Sequence, residues 1–223
     1  MLGSLLAAIW TPSGVSVDGD GNVLAATGNA TAQTSGRDLS NSVIRLSPQL
    51  EVIDSWTPRN RDQLSRGDID LGQIAPVVVP GGLVLEVGKD GIGYLLRNSA
   101  LGGTAGQVFD ARVCDSGAWG GTARVESRVF VACGEGLAAV DVSGERFSVA
   151  WRSTGFATGP PIVTGNTVWS LDISGGTLRA FAAATGQSLR TVRVGALAHF
   201  ATPTAGGGLL FVGADRRVLA FGA

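Results

Sequence analysis

Apolar residues in this chain fall in short runs, about four to eight residues long, separated by turns rich in glycine and aspartate. Some runs alternate with polar residues, and others, such as residues 75–79 and 129–133, are apolar at successive positions. No window of about 12 residues keeps the i, i+3, i+4 spacing of an amphipathic helix without a glycine or proline. Helices are therefore hard to place anywhere, and the pattern predicts an all-β chain.

One template recurs along the chain: an apolar strand, a tight turn, and a second apolar strand. Aligning the turns on Gly91, Gly136, Gly176 and Arg217 gives steps of 45, 40 and 41 residues. A repeat of about 40–45 residues is the length of one propeller blade. The copies of the template are residues 83–96, 129–140, 168–181 and 209–221.

Further strands flank the template in most units. A short strand precedes it at residues 75–82, 120–127, 159–166 and 201–208, and a fourth strand follows at residues 51–56, 147–151 and 189–194. Four antiparallel strands per unit predict an all-β β-propeller of about five four-stranded blade repeats, with residues 1–223 as a single domain. A β-sandwich also has short strands, but it has no reason to repeat its turn at this spacing. The repeats run approximately over residues 1–56, 69–110, 114–151, 156–194 and 195–223.

The first and last units depart from the template. A polar excursion at residues 28–41 separates two strands of the first unit, and a loop of this length is typical of a functional or mobile segment. The last unit ends after three strands, although a propeller protects its edges by closing a ring. Residues 5–10 are a candidate for the missing strand. We favour the interpretation that the chain is the C-terminal part of a longer propeller.

Composition excludes several classes of function. The chain has 17 basic and 18 acidic residues, a net charge of -1 and no cluster of Lys or Arg, which argues against nucleic acids and anionic membranes as partners. No apolar run approaches the roughly 18 residues of a membrane span. One His and two Cys do not make a ligand set for zinc or iron.

The two cysteines allow a specific prediction. A hairpin that turns at Glu126 and Ser127 places Cys133 opposite Gly120, close to where the chain arrives from Cys114. We therefore predict a disulfide, which would stabilise the fold by about 3 kcal/mol and indicate an oxidising compartment. The alternative is two reduced, buried cysteines.

Residues 160–189, PPIVTGNTVWSLDISGGTLRAFAAATGQSL, resemble the repeat phrase of the quinoprotein alcohol dehydrogenase-like propellers, also called pyrroloquinoline quinone (PQQ) repeat proteins. The resemblance covers nearly the whole chain, and the segment 114–223 looks most like uncharacterised bacterial members. Members usually have eight blades, so the resemblance implies that five repeats are an incomplete set. Many propellers with this repeat bind no quinone and act as scaffolds outside the cytoplasm.

The enzymes of this family hold PQQ above a calcium ion, and four residues here resemble their site. Trp10 resembles the tryptophan under the quinone, and Lys89 matches the cation that contacts the quinone oxygens. Asn29 resembles a calcium ligand, and Asp70 resembles the aspartate that takes the alcohol proton beside that ion. The residue types suit this chemistry, because calcium prefers oxygen ligands and a reduced quinone is stabilised by nearby positive charge.

Each of these residues also has a structural interpretation. Trp10 fits a large apolar side chain at a blade edge, and Asn29 fits a turn residue with positive φ. Asp70 fits a cap on backbone groups of a loop, and Lys89 fits a solvated turn. His199 is one more candidate acid or base, although no partner carboxylate stands near it in sequence.

Three functions remain open at this point. We favour a non-catalytic, extracytoplasmic binding or scaffold module with the PQQ-like repeat. The alternative is a fragment of a PQQ- and calcium-dependent dehydrogenase that oxidises an alcohol or a sugar, with Asp70 as the base. A third is a partner-binding platform built on the loop at residues 28–41.

Overall fold

A computed structural model describes residues 8–30 and 39–222, and it confirms the nearly all-β prediction. Antiparallel sheets follow one another along the chain, each formed mainly by one repeat. The strands are β1 (Ser16–Val17), β2 (Val23–Ala26), β3 (Val43–Leu46), β4 (Val52–Thr57), β5 (Val77–Val79), β6 (Leu83–Val87), β7 (Ile92–Arg97), β8 (Gly103–Thr104), β9 (Phe109–Arg112), β10 (Ala118–Val125), β11 (Arg128–Cys133), β12 (Gly136–Ser143), β13 (Arg146–Thr154), β14 (Ile162–Thr164), β15 (Thr167–Asp172), β16 (Thr177–Ala182), β17 (Ser188–Arg193), β18 (Thr204–Gly206), β19 (Leu209–Ala214) and β20 (Arg217–Gly222).

The strand order matches the predicted repeats, with one exception. The third and fourth sheets are the simple meanders β10-β11-β12-β13 and β14-β15-β16-β17, and the last sheet is β18-β19-β20. The second sheet is β5-β6-β7-β9 and does not include the short strand β8. Strand β8 instead pairs in parallel with β4 of the first sheet. The first sheet is therefore β1-β2-β3-β4-β8, and its outer strand is supplied by the next repeat.

A short helix, α1 (Arg61–Arg66), interrupts the otherwise β structure in the connection between the first two sheets. Its side chain Leu64 is buried, and Gly67 ends it. The sequence pattern did not predict this helix, because six residues are too few to show a helical period. Within the described residues, no helix is long and apolar enough to cross a membrane.

Both faces of the middle sheets are buried against neighbouring sheets. In β6, Leu85 packs towards the third sheet in one core cluster, while Val84 packs towards the first sheet in another. In β11, Val129 packs towards the second sheet and Phe130 packs towards the fourth. Each such side chain contributes about 1.5–3 kcal/mol when fully buried. This face-to-face succession explains the apolar runs at successive positions, and it is a propeller arrangement rather than two facing layers.

Glu86 is an exception in the core between the first and second sheets. It is fully buried, it lies opposite Tyr94 in the β6–β7 ladder, and neither carboxylate oxygen has a hydrogen-bond partner among the described residues. Burial raises the pKa of Glu86 well above its usual value, and the nearby charge of Asp90 raises it further. Burial therefore favours the protonated form of Glu86 in the folded protein.

The disulfide between Cys114 and Cys133 is present, with their Cα atoms 5.4 Å apart. The turn at Glu126 and Ser127 is also as predicted, since Val125 pairs with Arg128 across it. The predicted register was wrong at the other end of the hairpin, where Cys133 lies opposite Ala118 instead of Gly120. A bulge between Ala118 and Thr122 absorbs the difference, and Gly120 allows it because its φ is +81°.

The two ends of the sheet array differ from the middle. The nitrogen of Gly28 donates a hydrogen bond to the carbonyl of Ala8, so the described part of the segment 5–10 lies beside the first sheet. It does not complete the last sheet, where β20 is the final strand in the described part of the chain; residues 5–7 lie outside that part. Val218 on β20 is 74% exposed, so one face of the last sheet is open.

Candidate functional site

The four residues of the predicted site lie together at one end of the sheets. Trp10 precedes β1, Asn29 follows β2, Asp70 lies in the connection before β5, and Lys89 lies in the β6–β7 turn. Gly28 is at the centre of the group: a Cβ placed on it would lie 2.5 Å from Asp70 Oδ1 and 2.7 Å from Trp10 Cδ1. The indole and the carboxylate therefore both rest on the Gly28 backbone, and a side chain there would displace them.

The carboxylate of Asp70 is buried and surrounded by N–H donors. Its Oδ1 accepts a hydrogen bond from the backbone nitrogen of Asn29 at 2.9 Å, and its Oδ2 accepts one from Gln73 Nε2 at 3.1 Å. Lys89 Nζ forms an ion pair with Oδ2 at 3.7 Å. Gln73 was not predicted, although its position three residues after Asp70 was visible in the sequence.

A second set of hydrogen bonds joins the first sheet to the segment that carries Asp70. Asn41 Nδ2 donates to Asn29 Oδ1 at 2.7 Å, and Asn41 Oδ1 accepts from the backbone nitrogen of Leu71 at 2.7 Å. Asn29 Nδ2 donates to Asp68 Oδ1 at 3.1 Å. The positive φ considered for Asn29 is found at Asn41, at +44°, and this residue was missed because it ends the long excursion and carries no motif.

Lys89 is held in place at the edge of this network. Its Nζ donates to the carbonyl of Asp68 at 2.7 Å and lies 5.4 Å from the ring centroid of Trp119. Trp119 Nε1 donates to the carbonyl of Ser116, so the indole offers its faces and not its N–H. The side chain of Lys89 is only 24% exposed. It therefore differs from the solvated turn residue of the structural interpretation.

These residues do not fit a calcium ion as they are arranged. Calcium takes about six to eight oxygen ligands. The side-chain oxygens of Asn29 and Asp70 accept hydrogen bonds from N–H donors, and the ammonium of Lys89 is 3.7 Å from Asp70 Oδ2. A divalent cation would have to displace those donors and sit beside a positive charge. This geometry therefore supports no reaction step through calcium.

A pocket of about 220 Å³ opens next to Trp119, at the same end of the sheets. His199, the other predicted acid or base, lies in it, and its ring is tilted by 38° against that of Phe200 with the ring centroids 3.9 Å apart. No carboxylate is among the described residues that line this pocket. We call this cavity the Trp119 pocket. The residues that line it are Trp119, Gly134, Ala157, Thr158, Ile173, His199 and Phe200.

A larger cavity, of about 650 Å³, lies at the opposite ends of the sheets. Its two arginines are paired: Arg97 with Glu145 at 2.7 Å and Arg45 with Asp54 at 3.5 Å. Because both arginines are paired, the cavity has no unpaired cation among the described residues that line it. We therefore place the candidate site at the end that carries Trp10, Lys89 and Trp119.

The comparisons with known proteins define the fold. No protein-family model matches the chain, so membership of the PQQ-like repeat family is not confirmed, and no curated protein sequence matches it. The computationally designed Ika8 protein aligns with a TM-score of 0.67 and 13% identity over 94% of this chain and 57% of Ika8. The Cps50 (Swd1) β-propeller domain of Myceliophteria thermophila aligns with a TM-score of 0.62 and 12% identity over 93% of this chain and 63% of that domain.

A further designed protein, Ika4, aligns with a TM-score of 0.51 and 14% identity over 67% of this chain and 89% of its own. The chain thus spans less than two thirds of the length of Ika8 and of the Cps50 (Swd1) domain. At identities this low, similarity carries information about architecture and none about activity. The succession of sheets and these alignments together show that the chain folds as a β-propeller.

Proposed function

We propose that this propeller is a non-catalytic binding module that works outside the cytoplasm. We call its binding surface the loop face, and we define it by Trp10, Lys89, Trp119, His199 and Phe200. The observation that carries the proposal is the saturation of the polar groups beneath this face. Asp70 and Asn29 direct their oxygens at N–H donors of the protein, while Trp10 remains 55% exposed.

This arrangement supports binding better than proton transfer. A general base needs an accessible lone pair within hydrogen-bond reach of its substrate. Asp70 instead has three donors around its two oxygens, and they tie Asn29, Gln73 and Lys89 into a rigid support. Rigid aromatic side chains on such a support lose little entropy when a ligand binds.

The disulfide supports the extracytoplasmic part of the proposal. Disulfides persist in oxidising compartments and are rare where thiols are kept reduced. The Cys114–Cys133 bond closes a loop with a sequence separation of 19 and is fully buried at both ends, as a structural rather than a reactive bond would be.

The dehydrogenase fragment remains the second candidate, and one observation favours it. All four residues that resemble the quinoprotein site, Trp10, Asn29, Asp70 and Lys89, lie within one network. If the quinone were bound, it would supply hydride acceptance, Trp10 would lie against its ring, and Lys89 would stabilise its oxygens. The hydrogen bonds to Asn29 and Asp70 weigh against the calcium ion that this candidate needs.

The five tryptophans allow the binding proposal to be tested by NMR. Trp10 and Trp119 lie on the loop face, whereas Trp56, Trp151 and Trp169 donate their N–H groups elsewhere, to Gln107, Ala183 and Thr164. We expect compounds from a small-molecule fragment library that bind the protein to move the indole N–H signals of Trp10 and Trp119 and to leave the other three in place. Binding that moves only the other three would contradict the proposal.

Titration with PQQ distinguishes the two candidates. We expect no saturable change in tryptophan fluorescence when PQQ is added to the oxidised protein with or without calcium chloride. Saturable, calcium-dependent binding that is lost in Asp70→Asn and Lys89→Ala would overturn the non-catalytic proposal. Glu51→Gln, which changes an exposed carboxylate in the turn between β3 and β4, is the matched control.

A further inference from the structure

The Trp119 pocket has aromatic walls. Trp119, His199 and Phe200 contribute three rings, and Ile173 and Ala157 close the remaining sides. The N–H of Trp119 donates to the carbonyl of Ser116, and the rings of His199 and Phe200 are in a tilted contact with each other. What these rings offer a ligand is therefore mainly their faces and edges, which favour another aromatic ring.

The backbone around the pocket lets the aromatic rings lie close to it. Phe200 has a φ of +65°, a conformation that is uncommon for a bulky side chain. A Cβ on Gly120 would lie 3.0 Å from Phe200 Cδ1, and a Cβ on Gly134 would lie 3.2 Å from Trp119 Nε1. Two glycines thus give the aromatic rings room to approach the backbone, and they fix where the rings stand.

No Asp, Glu, Lys or Arg is among the described residues that line the pocket, and Thr158 and His199 are the polar members of its lining. The hydroxyl of Thr158 is already bonded to Ser170 and to the carbonyl of Gly159. The ring nitrogens of His199 form no hydrogen bond with the described residues. The lining is therefore mainly apolar, which favours a ligand without charge, and it offers one free polar partner, the imidazole, which can donate or accept a hydrogen bond.

The size of the pocket restricts the ligand further. A volume of about 220 Å³ is below the range of roughly 300–1,000 Å³ that is typical of drug-sized ligands. An apolar cavity of about 150 Å³ is enough for benzene. The space is therefore large enough for a single ring with a small substituent.

We infer that the Trp119 pocket binds a small, neutral, monocyclic aromatic molecule that carries one hydroxyl group, a phenol. The ring lies among Trp119, Phe200 and Ile173, and the hydroxyl group exchanges a hydrogen bond with His199. This inference rests on the proposed function, because the pocket forms part of the loop face, and it specifies the ligand class that the face takes.

The probe for this inference is p-cresol, titrated into the oxidised, full-length protein and followed by the indole N–H signals. We expect saturable movement of the Trp119 signal. Toluene lacks the hydroxyl and should bind about fivefold more weakly, and benzoate should bind at least about tenfold more weakly because its carboxylate would lose its hydration among the aromatic walls of the pocket. Equal binding of benzoate and p-cresol would overturn the assignment of a neutral ligand.

Two variants test the assigned residues. His199→Leu should abolish the preference for p-cresol over toluene while toluene still binds. Phe200→Ala should weaken both compounds by at least about tenfold, because a wall of the pocket is lost. Leu189→Ala, which changes an exposed residue of β17, is the matched control. Unchanged signals of Trp56, Trp151 and Trp169 show that each variant is folded, and unchanged p-cresol binding by both pocket variants would refute the inference.

The failure of this inference can be told apart from the failure of the proposed function. If fragments other than phenols move Trp10 and Trp119 while p-cresol does not, the ligand class is wrong and the loop face still binds. If no compound moves either signal, the proposed function fails with it. Tighter binding of N-acetyltyrosinamide than of p-cresol would indicate a tyrosine side chain of a polypeptide in the pocket, and it would overturn the assignment of a free small molecule.

Discussion

Replacing Glu86 by glutamine should change how the stability of the propeller depends on pH. In the unfolded chain Glu86 ionises near its ordinary pKa of 4.5, whereas burial between the first and second sheets raises its pKa well above that value in the fold. Between these two values the unfolded state releases a proton that the folded state keeps. Stability contributed by this group is therefore fully present below pH 4.5 and falls as the pH rises towards the folded pKa.

The expected slope follows from linkage. One proton corresponds to about 1.4 kcal/mol of unfolding free energy per pH unit. Glutamine at position 86 keeps the shape of the side chain and does not titrate, so any cost of its unpaired amide is the same at every pH. The free energy of unfolding of Glu86→Gln minus that of the unmodified protein should thus increase between pH 5 and pH 6, by up to about 1.4 kcal/mol.

Urea unfolding of both proteins at several pH values, with the disulfide intact, measures this difference. The expected increase corresponds to roughly 3–5 °C in Tm for a chain of this size. Asp90 also has a raised pKa, chiefly because of burial, and its charge acts on Glu86, so the measured slope belongs to the pair. Glu51→Gln on the protein surface should give parallel curves. A constant difference between Glu86→Gln and the unmodified protein across this range would refute the reasoning.

Three further predictions concern the disulfide, the glycine at the candidate site and an acid-sensitive turn. Replacing both cysteines by alanine should lower the free energy of unfolding by about 3 kcal/mol, measured by urea unfolding against the oxidised protein; an unchanged value would contradict it. Gly28→Ala should cost about 1–3 kcal/mol and shift the Trp10 indole signal, because its Cβ meets Asp70 and Trp10, whereas Gly19→Ala, with open space around it, should do neither. Burial acts to raise the pKa of Asp18, but hydrogen bonds, first among them that from Asn22, outweigh it and lower the value to about 2. Stability from Asp18 is therefore present above its usual 3.8 and lost as the pH falls towards 2, so Asp18→Asn should flatten acid unfolding below pH 4, followed by circular dichroism.

The repeat architecture could be predicted because each repeat contains the same local pattern of strand, turn and strand. The spacing of Gly91, Gly136 and Gly176 reflects one turn in each sheet, and the turns of the described structure fall there. The features that were missed depend on contacts between distant residues or on very short elements. Strand β8 has two residues, helix α1 has six, and the bulge that shifts Cys133 is visible only when both strands are paired.

The candidate site was predictable only in part. The resemblance selected Trp10, Asn29, Asp70 and Lys89, and they lie together, although their assigned roles stay predictions. The residues that hold them, Asn41 and Gln73, belong to no motif, and the hydrogen bond from Asn41 to Asn29 spans 12 positions. Glu86 did leave a signal, since it is a charged residue inside the apolar run of β6.

The partner-binding platform on the loop at residues 28–41 stays a prediction. Most of that loop, residues 31–38, lies outside the described residues. Its two ends are described, and both carry asparagines that join the network around Asp70.

The parallel pairing of β8 with β4 affects the order in which the chain can fold during synthesis. Trp56 and Thr57 pair with Gly103 and Thr104. The outermost ladder of the first sheet can therefore form only after residues nearly halfway along the 223-residue chain have been synthesised. Chains emerge from the ribosome at about 5–20 residues per second, which leaves β4 as an open edge for several seconds. The first two repeats therefore mature together during translation, and cleavage of the chain between them would expose an edge that can pair with another polypeptide.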